Sequence, residues 1–178
     1  MYDSIINSMS IVDPTTGNTI WGRESFRVMY SNMRRIYRDK KKEFPNTEDE
    51  RIVQLSYERM FGEEHHQLPH YFRFLYNFIN MIEDSPEAPK YIKLLQASIS
   101  NQELIIIFYN CSVSPHGHNF RRVAEKYSLF ENMSPRLLEH HHAQLVDDKA
   151  FGNGGYEALK RKGIPQIRGD MSVGSRRS

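Results

Sequence analysis

The sequence is poor in cysteine and contains no long apolar segment. Its single cysteine, Cys111, excludes an intrachain disulfide and is typical of a protein in a reducing compartment. The longest apolar run, Leu104–Tyr109, has six residues, whereas a transmembrane helix needs about 20. The N-terminus lacks a basic segment followed by an apolar one, so we expect no signal peptide. Together these absences predict a cytoplasmic protein that has no membrane partner.

The chain also lacks a strong charge of one sign and the common catalytic motifs. Its formal net charge is +2, so any affinity for nucleic acid must come from a local patch. Walker A, Gly-x-Gly-x-x-Gly, Gly-x-Ser-x-Gly and Cys-x-x-Cys motifs are all missing, which argues against nucleotide-dependent, α/β-hydrolase and zinc-ribbon functions. We therefore expect no cofactor, and the residues leave open whether the protein is an enzyme.

The composition is that of a globular protein, with 178 residues and 39% hydrophobic content, enough for one domain with a real core. Apolar side chains recur at helical spacing along most of the chain, which predicts an all-α fold. We expect a single-domain, irregular bundle of five to seven helices. The predicted divisions are an N-terminal arm (1–18), a helical domain (19–145) and a C-terminal extension (146–178) that is basic, contains glycine and ends in an extended tail.

The segment 70–82 carries the richest run of large apolar and aromatic side chains. At 100° per residue, one face of the predicted helix contains Tyr71, Leu75, Phe78 and Ile82. A narrow polar stripe contains His70, Arg73, Asn77 and Asn80. A helix with so much apolar surface should lie in the middle of the domain, with its polar stripe facing either solvent or a site.

Two candidate capping boxes mark helix starts on either side of this segment. Thr47 with Glu50 predicts a helix over about 48–61, ended by Gly62. Ser100 with Glu103 predicts a second helix start at 101. The apolar run that follows also fits a buried strand, but the cap and the lack of an evident partner strand favour a helix. Before it, one apolar stripe is predicted to contain Tyr91, Leu94, Leu95 and Ile99.

The helix predicted over about 22–42 has a strongly basic far side. It consists of Arg34, Arg35, Arg38, Lys40, Lys41 and Lys42. Cations near a helix C-terminus are stabilised by the macrodipole, which accounts for such a run without any further function. The functional alternative is a basic surface that contacts phosphate groups or RNA.

Three segments, in this order and spacing, resemble one protein family. They are Gly22–Phe26, the His-Tyr-Phe-Arg-Phe-Leu-Tyr run at His70–Tyr76, and Leu94–Ser100 continuing into Glu103–Leu104 and Phe108–Asn110. The pattern is similar to that of the AbiC-like family of phage abortive infection proteins, over about residues 20–150. The resemblance implies a bacterial or prophage-encoded defence protein that limits phage production, and it implies no particular reaction.

Two features depart from the family pattern. The third segment usually has an arginine before its alanine and a glutamine after it, where this chain has Gln96 and Ser98. Any role of that arginine in binding or catalysis would therefore be lost or moved in this chain. Many relatives also carry membrane helices before this region, and this sequence shows none, which argues against a membrane-depolarising mechanism.

Four polar residues are candidates for a ligand- or partner-binding site: His70, Arg73, Asn77 and, from another helix, Asn110. An arginine binds phosphate or carboxylate through a bidentate fork, and side-chain amides orient the bound group. The structural alternative is that Arg73 hydrogen-bonds to carbonyl groups between helices while His70 faces water.

Arg59, followed by His65 and His66, matches the loose Arg-x4–6-His pattern of HEPN-type ribonucleases, which are helical and dimeric. In such an enzyme the histidine acts as general acid and base on the RNA 2′-hydroxyl, and the arginine stabilises charge on the phosphorane. The pattern is short, so these three residues are the candidates for catalysis only if the protein cleaves RNA.

Some histidines and carboxylates in the sequence are also candidates for binding a metal ion. Glu63 with His66 and Glu139 with His142 form two Glu-x-x-His pairs, but both lie at element ends without further carboxylates to complete a di-iron site. The three side chains of His140–His142 cannot all lie on one side of a helix. A surface cluster of histidines is therefore favoured over a specific metal site. We expect no metal site from the sequence.

The leading hypothesis is therefore an antiphage defence protein that binds a phage or host macromolecule or a partner defence protein. The competing hypothesis is a metal-independent ribonuclease that cleaves RNA during infection. A protein partner or phage component is expected under the first hypothesis and RNA under the second, and a homo-oligomer is compatible with both.

Overall fold

Eight α-helices and a two-stranded hairpin form the part of the chain that the structure, a computed structural model, describes: residues 2–64, 68–115 and 117–163. The α-helices are α1 (Tyr2–Ser8), α2 (Glu24–Glu43), α3 (Asp49–Glu64), α4 (Leu68–Ile82), α5 (Ala88–Ser98), α6 (Asn101–Val113), α7 (His118–Lys126) and α8 (Gly155–Gly163). The strands are β1 (Ser10–Val12) and β2 (Thr19–Trp21). Three 3₁₀ helices cover Pro135–Leu137, His140–Leu145 and Asp148–Phe151.

The all-α prediction is confirmed, although the helix count exceeds the predicted five to seven. Within the described ranges, no helix is both long and apolar enough to cross a membrane. Two predictions fall outside the described residues. They are the catalytic candidates His65 and His66 and the part of the basic tail beyond residue 163; the first residues predicted for that extended tail, from Lys160, belong to α8 instead.

Helix α6 lies at the centre of the core, and every residue from Glu103 to Cys111 is buried. The apolar run that fitted either a strand or a helix is therefore a helix, as its capping box predicts. The Ser100 hydroxyl accepts a hydrogen bond from the Glu103 N–H at 3.2 Å, and the Glu103 carboxylate accepts one from the Ser100 N–H at 2.8 Å. Helices α2, α3 and α7 pack around α6.

The capping box predicted at Thr47 is wrong. Helix α3 begins at Asp49, so Glu48 rather than Thr47 precedes its first turn, and the helix continues through Gly62 to Glu64. The Asp49 side chain accepts hydrogen bonds from Tyr37 and Lys41 of α2. The start of α3 is thus tied to the preceding helix by its own first residue.

The hairpin is the one β-sheet among the described residues. Its strands are antiparallel with Ile11 opposite Ile20, and this pair packs on the core. The Gly17 N–H donates to the Asp13 carbonyl at 2.8 Å to close the turn, with Gly17 at a φ of 73° that favours glycine. The sequence predicts this turn but not the strands, because each strand has only three residues.

Helix α5 is rotated relative to the face that periodicity predicts. Tyr91 and Leu94, expected in the apolar stripe, are 41% and 59% exposed. Gln96 is buried instead, and its Nε2 donates to the Ser128 carbonyl at 2.9 Å. Since Ser128 has a positive φ of 52°, this bond supports a backbone conformation that side chains rarely adopt. The position where the family pattern has an arginine is therefore structural in this chain.

A single buried carboxylate, that of Glu103, joins four segments. Its Oε1 accepts hydrogen bonds from the hydroxyls of Tyr2 at 2.5 Å and Tyr71 at 3.3 Å. Its Oε2 accepts the Ser100 N–H and lies 3.4 Å from the Arg23 Nε. Burial, followed by the hydrogen bond and charge of this carboxylate, raises the pKa of Tyr2 well above its ordinary value, so the phenol remains a donor.

The turn between α6 and α7 depends on Gly117. A Cβ at this position would lie 1.9 Å from the Asn110 carbonyl oxygen and 2.7 Å from its carbonyl carbon. Only a glycine lets the chain pass so close to the α6 backbone, and α7 begins at the next residue. The approach of α7 to α6 is therefore set by a steric constraint rather than by a strained dihedral.

Replacing Gly117 by alanine should destabilise the protein by about 2 kcal/mol or more, because overpacking against backbone cannot be relieved by a rotamer change. Gly62→Ala is the matched control. This glycine lies in α3 with no atom within 4 Å of its would-be Cβ, so alanine there should be neutral or stabilise by about 0.5–1 kcal/mol. Urea unfolding of both variants measures the difference, and equal stabilities would contradict the steric argument.

Replacing Glu103 by alanine should cost about 3 kcal/mol, because it removes the α6 cap and leaves the fully buried Tyr71 hydroxyl without this acceptor. Glu24→Ala removes a carboxylate of an exposed pair with Arg27 and should cost much less. The measurement is the free energy of unfolding from denaturant titration. Similar losses of stability in the two variants would show that the buried carboxylate stabilises the protein no more than an exposed one.

Candidate functional site

A cavity of about 470 Å³ opens among α3, α4, α6 and α7. It is lined by Phe61, Pro69, Phe72, Arg73, Tyr76, Asn110, Ser114, Asn119 and Phe120. Four of the nine lining residues are aromatic, and the polar ones supply a cation, two amides and a hydroxyl. A volume in this range with an apolar lining and a few polar groups is typical of a small-ligand or side-chain pocket.

Helix register explains the α4 side of the cavity. Phe72 and Tyr76 are one turn apart and present their rings on the same side of α4, beside Pro69 in the first turn. Arg73 lies next to Phe72 on the same flank but is exposed, so its guanidinium belongs to the rim. On the other side, the close turn at Gly117 brings Phe120 of α7 to the cavity.

A hydrogen-bonded pair between α6 and α3 supports one side of the cavity, where Asn110 is a lining residue. The Asn110 amide nitrogen donates to the Tyr57 hydroxyl at 2.8 Å, and both residues are buried. The Tyr57 ring stacks on Phe61 with centroids 5.7 Å apart, which fixes an aromatic wall of the cavity. Burial raises the pKa of Tyr57 well above its ordinary value despite the opposing effect of Asn110, so the phenol stays neutral.

Arg73 is the one charged residue among the described residues that line the cavity. Its guanidinium makes no hydrogen bond or ion pair within the described part of the chain, whereas most of the described arginines do. A guanidinium that has no partner among the described residues and lies beside aromatic rings is suited to an anionic group that carries an apolar body. The structural alternative, in which Arg73 hydrogen-bonds to carbonyl groups of other helices, is not what the described contacts show.

The structure brings together two of the four residues predicted as a binding site. Arg73 and Asn110 line the same cavity although they come from α4 and α6. His70 and Asn77 are exposed on α4 and are not among the residues that line it. Of the ribonuclease candidates, Arg59 is exposed on α3, and His65 and His66 lie outside the described residues.

The predicted basic surface on α2 is partly neutralised by the protein itself. Arg34 lies 3.5 Å from the Glu139 carboxylate, Arg35 lies 3.8 Å from Asp39, and Lys41 pairs with Asp49. Of the remaining members, Arg38 donates to the Arg34 carbonyl at 3.3 Å, Lys40 lies over the ring of Phe44, and Lys42 is exposed. This surface is therefore less available to phosphate groups than the bare sequence indicates.

A second polar cluster, not anticipated as a unit, forms around Asp49. The Nε2 atoms of His141 and His142 lie 2.8 Å and 3.0 Å from the same Asp49 oxygen. His142 Nδ1 is 2.9 Å from the Tyr109 hydroxyl. Burial, reinforced by the neighbouring His141, lowers the pKa of His142, so this ring is neutral near pH 7. No pattern in the sequence could join residues that are 93 positions apart.

The Asp49 carboxylate at the centre of this cluster is ionised. Burial would raise its pKa, but the hydrogen bonds from Lys41 and Tyr37 outweigh burial and lower the pKa to about 2. The hydrogen bond between Tyr37 and Asp49 has the opposite effect on the tyrosine. Burial and the Asp49 carboxylate raise the pKa of Tyr37 above its ordinary value.

The chain was also compared with known proteins. Residues 63–137 match the family described as putative phage abortive infection protein. This match confirms the resemblance over less than half of the chain, a shorter span than the predicted 20–150, and it supports a role in phage abortive infection. We call residues 63–137 the abortive-infection region. No curated protein and no solved structure matches the chain.

The abortive-infection region contains two of the three predicted family segments, His70–Tyr76 and the segment that runs from Leu94 to Asn110. It also contains every residue that lines the cavity except Phe61. By contrast, Asp49, His141 and His142 all lie outside it. The two candidate sites of the protein therefore differ in their relation to the family.

Replacing Tyr57 by phenylalanine should cost about 1 kcal/mol, since it leaves the buried Asn110 amide without this partner while the ring stacking on Phe61 is kept. Tyr91→Phe, at a tyrosine 41% exposed on α5, is the matched control and should be close to neutral. Chemical denaturation of the two variants gives the change in the free energy of unfolding that results from the loss of this hydrogen bond. A neutral Tyr57→Phe would mean that this hydrogen bond does not hold α3 to α6.

Proposed function

We propose that the protein acts in abortive phage infection by binding a protein segment of phage, host or defence-partner origin in the cavity between α4 and α6. The observation that carries this proposal is the coincidence of the cavity with the abortive-infection region. All described lining residues but Phe61 belong to the span that matches the family, and they include an arginine that has no partner among the described residues. Binding rather than catalysis is the activity that this lining supports.

The lining indicates the chemistry of the bound segment. Phe61, Phe72 and Phe120 offer apolar surface for an aromatic or branched aliphatic side chain. The Arg73 guanidinium at the rim offers a bidentate partner for a carboxylate next to that side chain. The amide of Asn119, exposed at the mouth, is placed to hydrogen-bond the peptide backbone of the segment. The expected ligand is thus an acidic residue adjacent to a large apolar one.

The lining is less suited to the competing hypothesis of RNA cleavage. A ribonuclease site needs a general base and a cation at hydrogen-bond distance of one phosphodiester. The cavity contains a single arginine and no histidine among its described lining residues. The ribonuclease candidates Arg59, His65 and His66 remain a prediction, and they enter the experiment below as a separate variant.

We expect the intact protein to reduce phage plaquing in a bacterial host that expresses it, and Arg73→Glu to lose at least tenfold of that protection. The charge reversal repels a carboxylate and removes a charge-assisted hydrogen bond of about 1.5–3 kcal/mol. Lys93→Glu, a charge reversal at an exposed lysine of α5 outside the cavity, is the matched control and should protect fully. Plating efficiency over a phage panel, at equal soluble expression, is the measurement.

Further variants separate the alternatives. His70→Ala and Asn77→Ala should protect like the intact protein, because neither residue lines the cavity. The triple variant Arg59→Ala/His65→Ala/His66→Ala should also protect. If the triple variant alone loses protection, the ribonuclease hypothesis is supported and the cavity proposal is wrong. An intact protein that protects against no phage in the panel contradicts both.

A further inference from the structure

We propose that Asp49, His141 and His142 form a binding site for a divalent transition metal ion of the zinc type. Their ligand atoms, one carboxylate oxygen and two imidazole nitrogens, all lie within 4.8 Å of one another. Two histidines and one carboxylate are a ligand set that zinc and related ions use in proteins. The sequence alone predicts no metal site here, because the carboxylate comes from a helix far from the histidines.

The ligand atoms are already close to a coordinating arrangement. Both imidazole Nε2 atoms approach the same oxygen of Asp49, at 2.8 Å and 3.0 Å. With metal–ligand bonds of about 2.0–2.1 Å and tetrahedral angles, ligand atoms are separated by roughly 3.3 Å. Each of the two nitrogens therefore needs to move away from the Asp49 oxygen by only a few tenths of an ångström to reach that separation. The side chain of His141 is 54% exposed, so this adjustment meets little resistance from packing.

Neighbouring groups orient the ligands in the way that metal sites require. The Asp49 oxygen that does not face the histidines accepts hydrogen bonds from Tyr37, at 2.6 Å, and from Lys41. The Nδ1 of His142 lies 2.9 Å from the Tyr109 hydroxyl, which leaves Nε2 for the ion. Such outer contacts fix ring orientation and carboxylate geometry, and their removal typically weakens metal affinity 10- to 100-fold.

Without metal, the same atoms form a hydrogen-bonded network. His142 Nε2–H then donates to Asp49 while Nδ1 accepts from Tyr109. Metal binding moves this proton to Nδ1, which becomes the donor to the Tyr109 oxygen, and Nε2 binds the ion through its lone pair. In the metal-free state every group named here has a hydrogen-bond partner, so the network is a competing explanation that the experiment must separate from the metal site.

The site has three protein ligands and an exposed side, which leaves a fourth coordination position for water or for a ligand from a bound molecule. It connects the start of α3 to the 3₁₀ helix His140–Leu145, and through Lys41 it also engages the end of α2. A bound ion would therefore join the N-terminal helices to the segment that follows the abortive-infection region. This inference does not depend on the cavity proposal.

The test uses the untagged full-length protein, freed of metal with a chelator and titrated with Zn²⁺ by calorimetry and with Co²⁺ by visible absorption. We expect one equivalent to bind, with the intense d–d bands of a low-coordinate Co²⁺ site and a rise in melting temperature. His141→Ala should weaken binding at least tenfold and abolish these bands. His140→Ala is the matched control, because His140 is directed toward Lys160 and Glu157 of α8 instead.

Each other outcome overturns the proposal. Equal losses in His140→Ala and His141→Ala would identify a surface histidine cluster that binds metal adventitiously. The absence of saturable binding near one equivalent would leave the hydrogen-bonded network as the whole explanation. Circular dichroism of each variant shows that it is folded, and Tyr109→Phe gives an independent readout, since losing the Nδ1 partner should weaken Zn²⁺ binding about tenfold without removing a ligand.

Discussion

The structure depends on one buried carboxylate. Glu103 is fully buried at the start of α6, and its two oxygens accept from the cap of that helix and from the hydroxyls of α1 and α4. A buried carboxylate is tolerated only when its oxygens are satisfied in this way. Because each partner comes from a different element, the requirement to satisfy one side chain fixes where α1 and α4 lie relative to the central helix.

The cavity is a consequence of how the same central helix is packed at its other end. Asn110 of α6 is hydrogen-bonded to Tyr57 of α3, and Gly117 lets α7 come against the α6 backbone. Helices α3, α6 and α7 are therefore held together on one side of the cavity. Phe72 and Arg73 of α4 line the other side. The arrangement leaves a space that apolar side chains line but do not fill, with one cation, Arg73, among the described residues at its edge.

Sequence periodicity predicts the parts of this protein whose causes are local. The helical class, the cap at Ser100 and three of the four residues predicted on one face of α4 follow from spacing within one element, whereas Phe78 of that face is only half-buried. The rotation of α5 does not, because Gln96 is buried through a hydrogen bond to a carbonyl 32 residues away. Hydrophobic patterns treat such a glutamine as a surface residue, and no local signal corrects them.

The candidate sites show the same division. Arg73 and Asn110 could be grouped from the sequence as polar residues of two predicted helices, and the structure places both at one cavity. Phe61 and Phe120, which give that cavity its apolar walls, look like ordinary core residues in the sequence. The cluster around Asp49 cannot be predicted from the sequence, since its carboxylate and its histidines meet only through the packing of α2 and α3 against the later 3₁₀ helix.

Several contacts join residues that are very far apart along the chain. Tyr2 binds Glu103, Tyr30 binds the Leu137 carbonyl and His142 meets Asp49, at separations of 101, 107 and 93 residues. During synthesis the first helices therefore leave the ribosome long before their partners exist, and non-local contacts of this kind form late and slowly. The folded molecule arises only when nearly all of its described length has been translated. A chain released early, as when translation is interrupted, lacks the partners of Tyr2, Tyr30 and Asp49 that hold the first helices in place.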